Sequence, residues 1–576
     1  MAVAPVQPAE APPGFRREGV GSNHSKPGGQ WIFNPWIDAL FILLTPLVAW
    51  PAVLILSSSS ELMSAETLSL IVTAFFATGH HLPGLIRAYG DRDLFHRFRW
   101  RFLIAPPLVF LAYFPLYTYH YNLYRLIILV WATWHGLMQV YGFVRIYDAK
   151  VGSNSTATAY WDWLVCLCGF ITPQLFRDEH VGTTLGHWYS AGGPWLSLPV
   201  FQALRWASLF VSAIALTGFS ANYIAQIVRG KQVSLVKPLM LASGIGLWCF
   251  IMLSVENMLI GAALFDICHD LQYLAIVWIF NCRRVNSNVN LGRFMTFLFR
   301  RGMVLLYLSL ITAYGAIAFA GSLVLDGTLS RVFYGLLFTS TILHYYYDGF
   351  IWKVRDTTNR SGLGLSSNGA SAPQRSLAHS GFWHLLKWSP VIIGLVTVFA
   401  TDMSDPELTT AQKNDLERVY GHSLMGKSVL PKGEQERIWL SSHFQQTQAI
   451  ADIIPDDIKS QLKAAVLLAN FGRNDEALAR LEKILSRHPG HSECNLLLGG
   501  IHLYRGEVDK ASQYLEAALA CARNTRDRGA AHIKLGELSV YRGDQESAQH
   551  HFAEAVRNDP SLQKVVDGIR SANQNR

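Results

Sequence analysis

Between residues 36 and 401 the chain runs through about eleven stretches of mostly apolar residues, each near the ~20 residues that a helix needs to cross a hydrocarbon layer. They fall at 36–57, 66–86, 102–118, 123–146, 159–176, 203–227, 236–255, 258–281, 302–324, 331–352 and 385–401. Lipid offers a peptide group no hydrogen-bond partner, so each stretch is expected to be helical and the whole an all-α, polytopic membrane bundle. Half of the 576 residues are hydrophobic and only 16% are charged, although the last third of the chain is plainly polar. That contrast predicts a membrane domain at 31–402 and a soluble domain at 456–576, joined by a linker or degenerate repeat at 403–455. Residues 1–30, rich in Pro, Gly and Ala, are expected to be disordered. The first apolar run reads as a span rather than a signal peptide, because no convincing small-residue cleavage site follows it.

The loops alternate in charge. Arg87, Arg92, Arg97, Arg99 and Arg101 follow the second run, Arg145 and Lys150 the fourth, and Arg229, Lys231 and Lys237 the sixth. Arg283, Arg284, Arg293, Arg300 and Arg301 follow the eighth, and Lys353, Arg355, Arg360 and Arg375 the tenth. The intervening loops at 58–65, 119–122, 256–257 and 325–330 are poor in Lys and Arg. Basic loops stay in the cytoplasm, so the N-terminus is expected there. An odd number of spans then carries 402–576 across the inner membrane, into the periplasm of a Gram-negative cell. This topology accounts for the net charge of +8 without a nucleic-acid partner.

The polar tail repeats. AVLLANFGRNDEALARLEKILSRHP (465–489), LLGGIHLYRGEVDKASQYLEAALACA (497–522) and HIKLGELSVYRGDQESAQHHFAEAVRNDP (532–560) share a frame. In it Gly472, Gly506 and Gly543 end a first helix, and Ala477, Ala511 and Ala548 follow five residues later. The glycines are 34 and 37 residues apart, and Pro489 and Pro560 close the first and third units. This pattern resembles the tetratricopeptide-repeat family. The resemblance implies an α-solenoid of three helix pairs whose concave face binds a protein partner; a degenerate fourth unit is expected within 436–456. Cys494 and Cys521 fall where antiparallel helix ends meet, so either a disulfide or two packing thiols is expected there. Cys166 and Cys168, in an apolar run, are expected to pack as small hydrophobes.

Five of the 20 histidines lie well inside expected spans: His80, His81, His135, His269 and His344. They occupy the second, fourth, eighth and tenth runs, all of which cross in the same direction. At ~1.5 Å per residue they sit about 9, 15, 21 and 14 Å from the basic residues that end their runs, taking His81, His135, His269 and His344 in turn. Gln139 lies four residues after His135, and Asp348 four after His344. Asp266 and Gln272 flank His269 at three residues, and Asp270 adjoins it. A carboxylate in lipid costs several kcal/mol unless it is paired, protonated or bound to a metal. Imidazole binds iron, copper or zinc, and a ligating histidine usually gives its other ring proton to a carboxylate or carbonyl. The expectation is therefore one ion held by His80 or His81, His135, His269 and His344, with Gln139, Asp266, Asp270, Gln272 and Asp348 in support. The competing expectation is interhelical hydrogen bonding alone. Trp131, Trp134, Tyr345, Tyr346 and Tyr347 are candidates either for interfacial anchors or for the lining of an apolar substrate site.

The segments ATGHHLPG (77–84), TWHGLMQ (133–139), DICHDLQ (266–272) and LHYYYDG (343–349) resemble, in placement, the Brp/Blh-like carotene-cleaving dioxygenases. That resemblance implies iron, oxygen and a lipid-soluble polyene. Membrane desaturases cluster their histidines more densely than the His80–His81 doublet does, and no complete haem-ligand signature is present. The reading is a membrane oxidoreductase using iron or copper, non-haem before haem, on a lipid-soluble substrate. Two alternatives compete with it. One is a polytopic glycosyltransferase with a repeat domain, for which the first outer loop offers only Glu61 and Glu66. The other is a non-enzymatic anchor or transporter that recruits a partner through its repeats.

Overall fold

The computed structural model describes residues 29–365 and 434–574, except 59–63, 154, 256, 287–290, 301, 326 and 355; between 366 and 433 it describes only 393, 396 and 400. The expected disordered segment at 1–30 lies almost wholly outside the described residues. So do Glu61, the eleventh expected span apart from three positions, and the border near 402. Among the described residues the chain is helical, with a single isolated bridge between Asp91 and Leu291.

The membrane part comprises α1 (Pro35–Asp38), α2 (Thr45–Ser58), α3 (Ala65–Val72), α4 (His81–Gly90), α5 (Arg92–Tyr119), α6 (Tyr121–Lys150), α7 (Thr156–Ile171), α8 (Asp178–Ser190) and α9 (Leu198–Val228). It continues through α10 (Val236–Ser254), α11 (Met258–Val285), α12 (Arg293–Leu298), α13 (Val304–Val324), α14 (Gly327–Ile351) and α15 (Thr357–Gly362). Among the described residues seven segments are long and apolar enough to cross a membrane: Ala65–Gly90, α5, α6, α9, α10, α11 and α13. Three other expected spans fall short of that standard. The run at 36–57 is divided by a π-helical turn at Ala39–Leu43, and α7 has 16 residues before a 3₁₀ turn at Thr172–Leu175. Helix α14 has the length, but Thr339, Ser340, His344 and Asp348 dilute its apolar character.

Helix α11 is the axis of the bundle. Over half of its most apolar window is buried (56%), against 11% for α5 and α9, which therefore present most of their apolar surface outward. Around it α2, α3, α4, α10 and α15 pack directly. Small residues set the close approaches, as expected where lipid gives no hydrophobic drive to helix pairing. A Cβ added at Gly315 of α13 would lie 2.7 Å from the Phe75 Cα and 2.8 Å from the Ala74 carbonyl oxygen, so glycine lets α13 touch the second span's backbone. Near the basic ends, Lys237 of α10 lies 2.8 Å from Asp162 of α7 and 3.0 Å from Asp148 of α6, and Arg145 reaches both carboxylates at 2.8 and 2.6 Å. Two cations and two anions give a neutral cluster, which is how charge is tolerated at such burial.

The tail forms α16 (Glu434–Ile453), α17 (Ile458–Asn470), α18 (Asn474–Arg487), α19 (Ser492–Tyr504), α20 (Val508–Ala520), α21 (Thr525–Arg542), α22 (Gln545–Asn558) and α23 (Gln563–Gln574). Helices α17–α18, α19–α20 and α21–α22 are the three expected pairs. Gly472, Gly506 and Gly543 carry φ of 74°, 76° and 78°, a left-handed turn that other residues adopt at a cost. Ala477, Ala511 and Ala548 are buried where the paired helices touch. The degenerate unit expected within 436–456 is one helix, α16, which caps the stack. None of the seven cysteines is in a disulfide. The two helix ends meet, with Ser492 Oγ donating to the Ala518 carbonyl oxygen at 2.8 Å, but Cys494 turns its Sγ to the Leu481 carbonyl oxygen at 3.3 Å, and the Cys494–Cys521 bridge is not formed. Cys166 and Cys168 are buried, as their apolar setting suggested.

Helix α16 also seats the repeats on α8. Ile453 and Ile454 pack with Val181, Leu185 and Tyr189, flanked by Lys459–Glu179 at 2.7 Å and Ser190–Gln446 at 3.0 Å. Helix α8 lies in the 177–202 loop, on the side where the expected topology also puts the tail.

Candidate functional site

The second span is not one regular helix. After α3 it winds into a π-helical turn at Thr73–Thr78, breaks at Gly79–His80, and resumes as α4. Successive residues of a regular α-helix point about 100° apart. At this break both His80 and His81 are buried, with exposures of 4% and 3%. Widened turns of this kind recur where a helix must aim a functional side chain.

His80 of the break, His135 of α6 and His344 of α14 meet ring to ring. His344 Nε2 lies 2.9 Å from His80 Nε2 and 3.1 Å from His135 Nε2. His269 of α11 completes the group, its ring centroid 5.0 Å from that of His135 and 5.5 Å from that of His80. His80, His135 and His344 form one set of potential ligands with all atoms within 4.8 Å, and His80, His269 and Asp270 form another. His269 Nε2, His344 Nδ1 and Asp270 Oδ2 are buried without a hydrogen-bond partner among the described residues.

The tautomer of His80 follows from its neighbours. Its Nδ1 faces two acceptors, Asp270 Oδ1 at 2.9 Å and the Phe76 carbonyl oxygen at 3.1 Å. Nδ1 therefore carries the proton, and in the neutral ring Nε2 turns a lone pair toward His344 and His135. His344 Nε2 can donate to only one of its two nitrogen neighbours, so hydrogen bonding leaves this trio under-satisfied. Nitrogens bound to one tetrahedral ion at ~2.0–2.1 Å lie about 3.3 Å apart. The separations here are within a few tenths of an ångström of that value, and the arrangement can hold such an ion.

The other expected residues divide. His81 does not join the trio: its Nδ1 lies 3.1 Å from Ser340 Oγ and its ring stacks beside His344. Asp270 supports His80 directly. Asp348 does not bond His344, lying 3.8 Å away; its Oδ1 instead accepts from the Tyr273 hydroxyl and Trp352 Nε1, each at 3.1 Å. Gln139 Nε2 donates to the His269 carbonyl oxygen at 2.9 Å and to Gln272 Oε1 at 3.1 Å, while Gln272 Nε2 donates to the Ile42 carbonyl oxygen at 2.7 Å. These amides brace backbones rather than rings. Asp266 is half-buried one turn before Asp270.

Of the aromatic candidates, Tyr345 stacks on His135 at 4.5 Å. Tyr346 and Tyr347 face away into a cluster with Phe102 and Phe350, and Trp131 joins another around Tyr113 and Phe338. Tyr273, edge-on to both His80 and His344, and Ser340 were missed. Both could have been found, because Tyr273 lies four residues after His269 and Ser340 four before His344. Beside His269 a small cavity is lined by apolar Val140, Leu247 and Phe265 together with polar Gln139, Ser243 and Gln272. Glu66 lies on α3, and Glu61, on which the glycosyltransferase alternative also turns, is outside the described residues.

The tetratricopeptide repeat family matches residues 468–532. That stretch runs from the end of α17 to the middle of α21, and it marks the tail as a region for protein–protein interaction. No curated protein and no solved structure matches the chain. The likeness of the membrane helices to the Brp/Blh-like dioxygenases finds no support in these comparisons.

Proposed function

We propose that the membrane domain is a metal-dependent oxidoreductase acting on a lipid-soluble substrate, and that the repeats recruit a protein partner on their concave face. The observation that carries this reading is the meeting of three imidazole Nε2 atoms, from the second span, α6 and α14, at 2.9 and 3.1 Å. His80, His135 and His344 would hold the ion, with His269 the nearest further donor. Asp270 fixes the His80 proton on Nδ1 and so turns the Nε2 lone pair inward. Iron or copper bound there supplies one-electron chemistry that no side chain of this cluster offers. Non-haem ligation is favoured, because a macrocycle needs a flat slot between axial ligands and the three nitrogens leave none. A lipid-soluble substrate is favoured by the burial of the four histidines among apolar helices and by Tyr345 against His135.

The test is elemental analysis together with an optical spectrum of the full chain purified in detergent. About one iron or copper per chain is expected, lost in His135→Ala and in His344→Ala but retained in His81→Ala. Helical, monodisperse protein that holds no transition metal after expression with iron and copper supplied would overturn the enzyme reading. A haem spectrum would overturn the non-haem assignment alone.

A further inference from the structure

The repeat tail carries a second convergence of histidines, on helices other than those of the membrane cluster. His532 of α21 and His551 of α22 face each other across the last helix pair, Nδ1 to Nδ1 at 3.1 Å, with ring centroids 5.4 Å apart. Both rings are half-buried. Burial, followed by the neighbouring His551, lowers the pKa of His532 below the ordinary imidazole value. Burial, followed by His550, does the same for His551.

Two neutral imidazoles can share one N–H···N bond. The local geometry offers more than that. The 3.1 Å separation is close to the ~3.3 Å between two nitrogens on one ion with bonds of ~2.0–2.1 Å. Glu554 lies three residues after His551, one turn along the same helix face. Its carboxylate is close enough to act electrostatically on His532 across the pair, and its Oε1 is shared with Arg557. His550 is solvent-exposed, its ring 5.5 Å from that of His551. Two nitrogens are in place, and the Glu554 carboxylate, one turn along α22, is the candidate for a third ligand. Water can complete the sphere, because the site opens to solvent. Two imidazoles and one carboxylate suit a borderline divalent ion such as Zn²⁺ or Cu²⁺.

We propose that His532 and His551, with Glu554 as third ligand, form an extramembrane site for a divalent transition-metal ion that clips α21 to α22. Such an ion fastens the two helices of the last repeat at one point and stiffens the end of the solenoid. The site is independent of the reading given above for the membrane histidines, since it shares no residue with them.

The experiment uses the untagged full chain in detergent, stripped with EDTA and titrated with Cu²⁺ under electron paramagnetic resonance. Wild type is expected to bind one more Cu²⁺ than the His532→Ala/His551→Ala variant, with hyperfine structure from two imidazole nitrogens in that extra signal. Glu554→Gln should weaken that ion about tenfold, and His550→Ala should leave the two-nitrogen signal in place. The membrane histidines are intact in every variant, so their Cu²⁺ cancels in the difference. His532→Asn, a polar replacement of similar reach, repeats the test if the double variant loses helicity. Equal Cu²⁺ stoichiometry in wild type and the His532→Ala/His551→Ala variant, or an extra signal with one nitrogen, would overturn the proposal and leave a simple hydrogen bond between the rings.

Discussion

Asp270 shows how one carboxylate can decide what a histidine does. It lies 2.9 Å from His80 Nδ1, is 1% exposed, and keeps its second oxygen unpartnered. Removing a group that orients a ligand typically costs 10- to 100-fold in metal affinity. Asp270→Ala should therefore weaken iron or copper binding by about 10- to 100-fold, measured by competition with a chelator of known affinity. Asp270→Asn, whose amide oxygen can still accept from Nδ1, should weaken it less. Asp348→Asn should change it least, because Asp348 is 3.8 Å from His344 and serves Tyr273 and Trp352 instead. Equal losses in all three would show that burial of charge, not orientation of His80, sets the affinity. At this scale the sequence showed which helices contribute histidines, since each stands out in an apolar run. It did not show which of His80 and His81 faces the trio, because the choice depends on a π-helical turn that no local pattern announces. It placed Asp348 by helical spacing, but spacing does not fix the rotamer, and the rotamer took Asp348 elsewhere.

Elements were legible wherever one periodicity ran unbroken. The repeat glycines and alanines marked α17 to α22 because a left-handed turn and a tight helix contact each admit few residue types. The interruptions were not legible: the second span breaks at Gly79–His80, and α5 begins with a basic segment that leaves helical geometry at Phe98. Such departures are set by what packs against the helix. For the second span that neighbour is α13. A methyl group at Gly315 would stand 2.7 Å from the Phe75 Cα and 2.8 Å from the Ala74 carbonyl oxygen, both backbone atoms that cannot swing aside. Gly315→Ala should therefore push the π-helical turn away from α13, and His80 with it. Overpacking of this kind costs roughly 1–3 kcal/mol. The variant is expected to melt at a lower temperature in detergent and to retain less metal, although position 315 is no ligand. Full metal content with lowered thermal stability would show that His80 is held by its own contacts with Asp270 and Phe76.

At the scale of the molecule, the seat of the repeats on α8 was invisible in the sequence, since a 13-residue amphipathic helix in a loop gives no sign of what will cover it. The seat now constrains topology. Ile453 and Ile454 are buried against Val181, Leu185 and Tyr189, so the tail and the 177–202 loop must share one side of the membrane. The alternation of basic loops leads us to expect that side to be the periplasm, where thiols oxidise, whereas cytosolic glutathione would keep them reduced. A Cβ at Gly182 would lie 3.6 Å from Ser460 Oγ, so a shift of about half an ångström would bring a thiol pair there to the ~3.0 Å between a Cβ and its partner sulfur in a disulfide. Gly182→Cys combined with Ser460→Cys should therefore cross-link spontaneously in growing cells, read as a mobility shift on non-reducing gels, while each single variant should not. Purified protein treated with a mild oxidant separates the two parts of the argument. A bridge in vitro but not in cells would keep the contact and move the tail to the cytoplasm, so the number of spans would have to be even. No bridge under either condition would dissolve the contact, and with it the link between the repeats and the membrane helices.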